Sequence, residues 1–440
     1  MKTVRRTAFE MIEQILQGEQ YSNLLLNEAI QKRWVDEKDV PLLTELVYGT
    51  IQRLLTLDFY LEPFIHDKRV EESVRNNLRL AVYQAVYLDR IPPHAIVHEA
   101  VEIAKAVHPR AQRFINGVLR SFFRHPLRSL ADIHDPLERL SIETSTPLWL
   151  IKLWAKQYDI DLARTLGQLG LSKPRQFARL NRLKGKREAL LAEIRHHGID
   201  FEEVPENPDA ISVKGANIAT TEAYRKGWVT VQDLSSQWVG KIVDPKPGER
   251  VLDCCAAPGG KATHLAELMG NQGIVIAGDL YDHKLELIAH HAKRLGTTIV
   301  KPIKLDATKL TTYFPKEHFD RVLLDAPCSG FGVIHRKPEI KYLRKPEDLD
   351  ALVRIQQQMI DEAVQLVKPK GRLVYSTCTI NRKENERMVD YLLSHHPEWE
   401  LDPTPFAQLG LKDGGRGYVQ LIDSHLGSDA FFISCFQRKG

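Results

Sequence analysis

The chain has 440 residues, more than one hydrophobic core ordinarily organises, so two or three domains are expected. Its composition, 43% hydrophobic and 27% charged with 26 glycines and 23 prolines, excludes a fibrous or disordered chain. The net charge of +4 is only mildly basic, the five cysteines are too few and too oddly placed for a disulfide framework, and no apolar run approaches the roughly 18 residues of a membrane span.

The N-terminal segment "MKTVRRTAFEMIEQIL" places Val4, Ala8, Met11, Ile12 and Ile15 on one helix face and lacks the apolar block of a signal peptide. A cytoplasmic protein is therefore expected, monomeric by default, with no membrane partner and no obligatory protein partner. Residues 1 to 135 read as helical throughout, with apolar spacings of three and four in "LLTELVYGTIQRLLTLDFYLEPFI" and "LRLAVYQAVYLDRI". Pro92 and Pro93 end one helix and begin the next.

Between Ile103 and Ala131 there are six Lys/Arg and no Asp/Glu. Arg113, Arg120 and Arg124 recur near helical spacing there, while Phe114, Val118 and Leu119 form an apolar stripe, so the arginines are expected to face phosphates. A solvated helix face is the plainer alternative. The segments "LVYGTIQRLLTLDFYL", "LRLAVYQAVYLDRIPPHAIVHEAVEIAK" and "RFINGVLR" resemble the helical RNA-binding domain named after NusB. The resemblance spans residues 3 to 130 and implies an all-helical RNA-binding domain, with protein docking as the other use of such a bundle.

Residues 136 to 240 mix helical stretches ("LWLIKLWAKQY", "REALLAEIRHHG") with short strands ("QFARLN", "DAISVK", "WVTVQD"), the pattern of a small α/β or α+β subdomain. A second basic stretch, Leu162 to Arg187, has eight Lys/Arg and no Asp/Glu. Arg179, Arg182, Lys184, Lys186 and Arg187, around the strand "FARLN", are expected to lie along an RNA backbone.

From residue 241 to 440 strands, loops and helices alternate, which calls for a Rossmann-like, doubly wound and mostly parallel sheet. Ligands bind outside the carboxyl ends of such strands, and Asp253, Asp279, Asp306, Asp325 and Cys378 each end one. The loop "DCCAAPGGK", with Cys255, Ala256, Ala257, Pro258, Gly259, Gly260 and Lys261, lets backbone approach a ligand at a helix start. The dinucleotide spacing G-x-G-x-x-G is absent. S-adenosyl-L-methionine has no pyrophosphate and needs only amides for its carboxylate and room for a sulfonium, so this cofactor, leaving as S-adenosyl-L-homocysteine, is expected. Asp279 suits its ribose hydroxyls and Asp306 its adenine amino group, with Asp325 beside them.

"LLDAPCSGFGV" and "LVYSTCTI" bring Cys328 and Cys378 to the same strand ends, whereas Cys254, Cys255 and Cys435 read as small apolar residues. The carbon at position 5 of cytosine is a poor nucleophile. A thiolate adding at C6 turns the ring into an enamine whose C5 can take a methyl group. Asp325 can share a proton at N3 while recognising the exocyclic amine, Lys261 can add positive charge, and a second thiol can serve when the first is expelled.

"CAAPGGK", "DAPCSG" and "YSTCT", with "QDLSSQ" before them and "DAFFISCFQRK" at the end, resemble the RNA cytosine-5 methyltransferase family of the NOL1/NOP2/Sun type over residues 150 to 440. Together with the helical N-terminal domain, the resemblance implies methylation of one cytosine of bacterial 16S ribosomal RNA, free or in a partly assembled small subunit. It further implies that Cys378 is the nucleophile and that Cys328 assists product release. Phe331, where a small residue is usual, and Ala430 in "SDAFF" depart from the family pattern and put fine positioning by their loops in question. Other readings are the same chemistry on transfer RNA, another ribosomal cytosine or DNA, or a non-catalytic assembly factor. The second thiol argues against DNA, and the intact constellation argues against a platform without catalysis.

Overall fold

A computed structural model describes residues 2–65, 69–215, 217–422 and 427–440. The chain divides into two compact units, one made of Met1–Lys173 with Val333–Lys345, the other of Pro174–Gly332 with Pro346–Gly440. Among the described residues no helix is long and apolar enough to cross a membrane.

The first unit is all helical. Its first helix, Val4–Leu16, starts where the Thr3 side chain accepts from the Arg6 N–H, and it buries Ala8, Met11, Ile12 and Ile15. The long apolar run after residue 40 forms two helices, Val40–Gln52 and Leu54–Ile65, because Arg53 leaves helical geometry at φ −121°. Helices Glu72–Tyr87, Pro93–Val107 and Gln112–Phe122 close the bundle around Leu43, Leu46, Leu57, Leu61, Leu78 and Ile115. Proline opens the second of these because its missing N–H costs nothing in a first turn.

The piece Val333–Lys345, far away in sequence, completes this unit. Lys341 is fully buried and donates to the carbonyls of Gln52 (2.9 Å) and Thr144 (3.4 Å). Glu339, equally buried, accepts from the Ser22 N–H at 2.9 Å. The Tyr342 hydroxyl donates to the Ser145 carbonyl at 2.8 Å.

The second unit holds two sheets. The smaller one, with β1 (Gln176–Leu180), β2 (Phe201–Glu203), β3 (Ala210–Val213) and β4 (Val229–Val231), has the order β2-β3-β1-β4 and is antiparallel throughout. Helix Arg187–His196 covers it through Leu190, Leu191 and Ile194, which makes it an α+β subdomain.

The larger sheet contains β5 (Arg250–Asp253), β6 (Ile274–Asp279), β7 (Val300–Lys304), β8 (Phe319–Asp325), β9 (Val367–Thr377), β10 (Trp399–Leu401), β11 (Tyr418–Leu421) and β12 (Phe431–Arg438). Its order is β7-β6-β5-β8-β9-β12-β10, with β11 also on β12. β5 to β9 run parallel and the C-terminal strands add antiparallel to β9.

Successive residues of the parallel strands face opposite sides. Leu323 packs toward helices Leu234–Val243 and Gly260–Leu268, whereas Val322 and Leu324 pack toward helices Pro346–Leu366 and Glu386–His395. The chain winds outward from β5 on both sides, so the switch point lies between β5 and β8. The loops leaving these two strands flank the crevice where such sheets bind ligands.

Candidate active site

The loop after β5 turns from strand to helix through Gly259, whose φ is 105° and where a Cβ would lie 3.1 Å from the Cα of Ile288. Only glycine takes that backbone without strain. The Ala256 N–H donates to the Gly278 carbonyl at 2.7 Å and docks the loop on β6, and the space beside the next glycine, Gly260, is open. Asp253 is fully buried, and among the described residues no side chain hydrogen-bonds to either of its carboxylate oxygens. Burial, with the nearby Asp325 carboxylate adding to it, pushes Asp253 up to about 7.

Asp279, at the end of β6, is nearly buried and lies 3.5 Å from the Lys284 ammonium. Asp306, two residues past β7, accepts from the Thr308 hydroxyl at 2.7 Å and N–H at 2.9 Å, which holds its carboxyl below the usual range.

Asp325 ends β8 with both oxygens engaged: Lys261 Nζ donates to Oδ2 and Ser376 Oγ to Oδ1, each at 2.8 Å. Lys261 comes from the first turn of the helix that follows the glycine loop, and it also lies 5.0 Å from the Phe431 ring centre. Burial works against its charge, yet the Asp325 carboxylate and, behind it, the Cys378 sulfur hold the ammonium above its ordinary value.

The Sγ atoms of Cys328, after β8, and Cys378, after β9, are 3.4 Å apart. Contact with Cys378, then burial, pushes the Cys328 thiol well up, because two touching sulfurs cannot both carry charge. The crevice thus holds a touching thiol pair, an ammonium–carboxylate pair and an unpaired buried carboxylate at the ends of adjacent strands.

Against known proteins, residues 241–437 match the model for 16S rRNA methyltransferase RsmB/F. Residues 2–124 match that for the NusB family, and residues 146–219 that for an RsmF/B-like ferredoxin-like domain. The chain is 43% identical over 443 residues to a probable ribosomal RNA small subunit methyltransferase B of Bacillus subtilis (strain 168), covering 100% of this chain and 99% of that protein. The chain belongs to the ribosomal RNA small subunit methyltransferase B family. It is a methyltransferase, and S-adenosyl-L-methionine is its methyl donor.

A second family member, from Klebsiella pneumoniae (strain 342), is 34% identical over 415 residues, 91% of this chain and 92% of that protein. The solved structure of PH0851 aligns over 100% of both chains with a TM-score of 0.84 and 27% identity.

For this family member, the structure brings Cys255, Ala256, Ala257, Pro258, Gly259, Gly260, Lys261, Asp325, Cys328 and Cys378 to the β5, β8 and β9 ends, with Asp279 and Asp306 along the same edge. Cys254 and Cys435 are buried, as expected of small apolar residues, while Cys255 keeps partial exposure. Phe331 and Ala430 are both buried. Between them the Gly332 N–H donates to the Cys378 carbonyl at 2.9 Å and the Ala430 N–H to the Gly332 carbonyl at 3.0 Å, so these departures bear on the backbone of a thiol.

One expectation is corrected. Arg179 does not face an RNA backbone: it is 1% exposed, donates through Nε and Nη2 to Glu267 at 3.0 and 2.8 Å, and through Nη1 to the Gly260 carbonyl at 3.1 Å. Its position on a central strand turns it inward, where it pins the small sheet to the helix that follows the glycine loop. Arg113, Arg120, Arg124, Arg182 and Lys184 are exposed, Arg182 in an ion pair with Asp209 at 3.1 Å.

Two site residues escaped sequence reading. Ser376 lies within "YSTC", yet nothing in the pattern aims its hydroxyl at Asp325. Glu384 sits in the charged run "NRKENER", where nothing in the pattern distinguishes it from its neighbours.

Proposed function

We propose that this enzyme methylates carbon 5 of a cytosine in 16S ribosomal RNA, with Cys378 as the nucleophile that adds to C6 and Cys328 as the group that assists release. The observation that carries the reading is the 3.4 Å thiol pair beside the Lys261–Asp325 pair. A methyltransferase acting on nitrogen or oxygen has no use for two touching sulfurs at its methyl-transfer edge. A cytosine ring needs one to activate C5 and benefits from another to restore the aromatic ring.

The residues present suit the donor. The glycine turn exposes amides at a helix start, buried Asp253 has unsatisfied oxygens for a cationic group, and Asp279 and Asp306 offer acceptors to a nucleoside. When bound, S-adenosyl-L-methionine supplies the electrophilic methyl group.

The Lys261 ammonium, held charged, favours the thiolate on Cys378, while Cys328 stays protonated. Addition of the Cys378 sulfur at C6 pushes electron density to C5, and Asp325, fixed by Lys261 and Ser376, receives the N3–N4 edge of the base. After C5 is methylated its remaining proton must leave. With Cys378 bonded to carbon, the largest influence that kept Cys328 protonated is gone, so Cys328 can lose its proton to solvent and take the one from C5. The C–H electron pair then forms the C5–C6 double bond, and the Sγ–C6 pair returns to Cys378.

Ribosomal RNA as the substrate rests on the family membership and on the exposed Arg113, Arg120 and Arg124 of the NusB-like domain, with Arg182 and Lys184 on the small subdomain as further phosphate contacts. The target cytosine must be unstacked to reach the crevice, which is least costly in a single strand. The test is incubation with labelled methyl donor and unmodified 16S RNA, followed by mapping of the product. Label on a cytosine carbon is expected; label on nitrogen, ribose or another base would overturn the assignment.

A further inference from the structure

The two thiols arrive on separate segments, Cys328 on the loop after β8 and Cys378 on the loop after β9. One carboxylate joins these loops. Glu384 is fully buried, and it accepts from the Ser329 N–H (2.9 Å) and Oγ (2.6 Å), beside Cys328 in sequence. It also accepts from Asn381 Nδ2 (3.0 Å), three residues past Cys378.

The same carboxylate receives Gln356 Nε2 at 3.1 Å, and that amide also donates to the carbonyl of Pro327, the residue before Cys328, at 2.9 Å. Ser329 Oγ lies 2.7 Å from the hydroxyl of Thr379, the residue after Cys378. Residues flanking both sulfurs therefore converge on one side chain. All four donors to it are neutral, so this buried carboxyl has no counterion among them, and an apolar side chain in its place would leave these donors unsatisfied.

We propose that Glu384 is a positioning residue for product release: it fixes the Cys328 sulfur against Cys378, so that Cys328 is aimed at the C5 proton of the covalent adduct. This rests on the thiol mechanism proposed above. A second consequence follows from charge. The Glu384 carboxylate lies close enough to add to the upward push on the Cys328 thiol, behind Cys378 and burial. It therefore contributes to raising the pH above which Cys328 can serve as a base.

The test compares Glu384→Gln and Glu384→Asp in single-turnover reactions with 16S RNA and labelled donor, following adduct formation and release from pH 6 to 9. Glu384→Gln keeps size but removes the charge and offers an amide nitrogen to donors. Adduct is expected to form, with release slowed roughly tenfold or more at its plateau and its rise with pH moved to lower pH. Glu384→Asp keeps the charge on a shorter reach, so its plateau is expected to drop while its pH midpoint stays.

Release that matches the wild type in rate and pH midpoint in both variants would overturn the inference. Should Glu384→Gln not fold, Ser329→Ala and Asn381→Ala each delete one donor, and unchanged release in both would be equally decisive against it. Cys328→Ala serves as the control for the underlying mechanism. If that variant accumulates no adduct, the thiol reading itself fails, whatever Glu384 does.

Discussion

The sulfurs of Cys328 and Cys378 touch at 3.4 Å although fifty residues separate them, because β8 and β9 are parallel neighbours that end together. In the proposed mechanism the touching thiols share one ionisation, and each has its own step. Cys378→Ala is expected to abolish methylation and to give no covalent RNA adduct on denaturing gels. Cys328→Ala is expected to form the adduct and hold it, with turnover down by roughly 10²-fold or more. The reverse pattern would exchange the roles.

Lys261 and Asp325 satisfy each other at 2.8 Å in a partly buried crevice. Asp325→Asn leaves an ammonium without its carboxylate and removes the acidic partner of the base, so kcat is expected to fall by roughly 10²- to 10³-fold. Lys261→Met is expected to be comparably damaging, because it strands the carboxylate and withdraws the charge that favours the Cys378 thiolate. Steady-state kinetics on folded protein, verified by circular dichroism, reads both.

Asp253, held up to about 7 by burial and by Asp325, opposed by Lys261 and reinforced by Asp279, gives a pH signature. An acid whose folded value exceeds its unfolded value of about 4 favours the folded state while protonated. That contribution is complete below pH 4 and is lost as the pH rises to about 7. Asp253→Asn is therefore expected to raise stability at pH 8 by on the order of 2–4 kcal/mol, and not at pH 4. Donor affinity measured by calorimetry is expected to rise through pH 7 in the wild type, as the carboxylate ionises toward the sulfonium, and to stay flat in the variant.

Arg179 and the surface arginines are expected to part company. Arg179→Met leaves Glu267 charged and unpaired inside the protein, a loss of about 3–5 kcal/mol in denaturant unfolding, with the salt dependence of RNA binding unchanged. Replacing Arg113, Arg120 and Arg124 together by Gln is expected to leave stability within about 0.5 kcal/mol. The same replacement is expected to lower the slope of log affinity against log salt by roughly 2. An unchanged slope would remove these residues from the RNA surface.

The sequence disclosed most where chemistry is tied to strand ends. The carboxylates and thiols at the ends of β5, β6, β8 and β9 were readable because alternation of strand and helix already marks those ends as the ligand edge. What stayed hidden depends on direction and distance. Arg179 looks like its basic neighbours in the chain, and only the pleat of β1, which turns it inward to Glu267, distinguishes it. The break at Arg53 carries no glycine or proline to announce it. Glu384 gains its meaning from Ser329 and Gln356, 55 and 28 residues away in sequence.

The insertion of Val333–Lys345 into the helical unit bears on how this protein is made. Lys341, Glu339 and Tyr342 fill places among Gln52, Thr144, Ser22 and Ser145, so the first unit to leave the ribosome is not finished until much of the second has been made. Its helices can gather early, but the last pieces of its interior are synthesised only after the first four strands of the methyltransferase sheet. A fragment cut at residue 173 would lack them, and a separately expressed catalytic half would carry a segment whose buried lysine has no carbonyls to meet. The two units are thus interleaved in the gene and therefore in their completion.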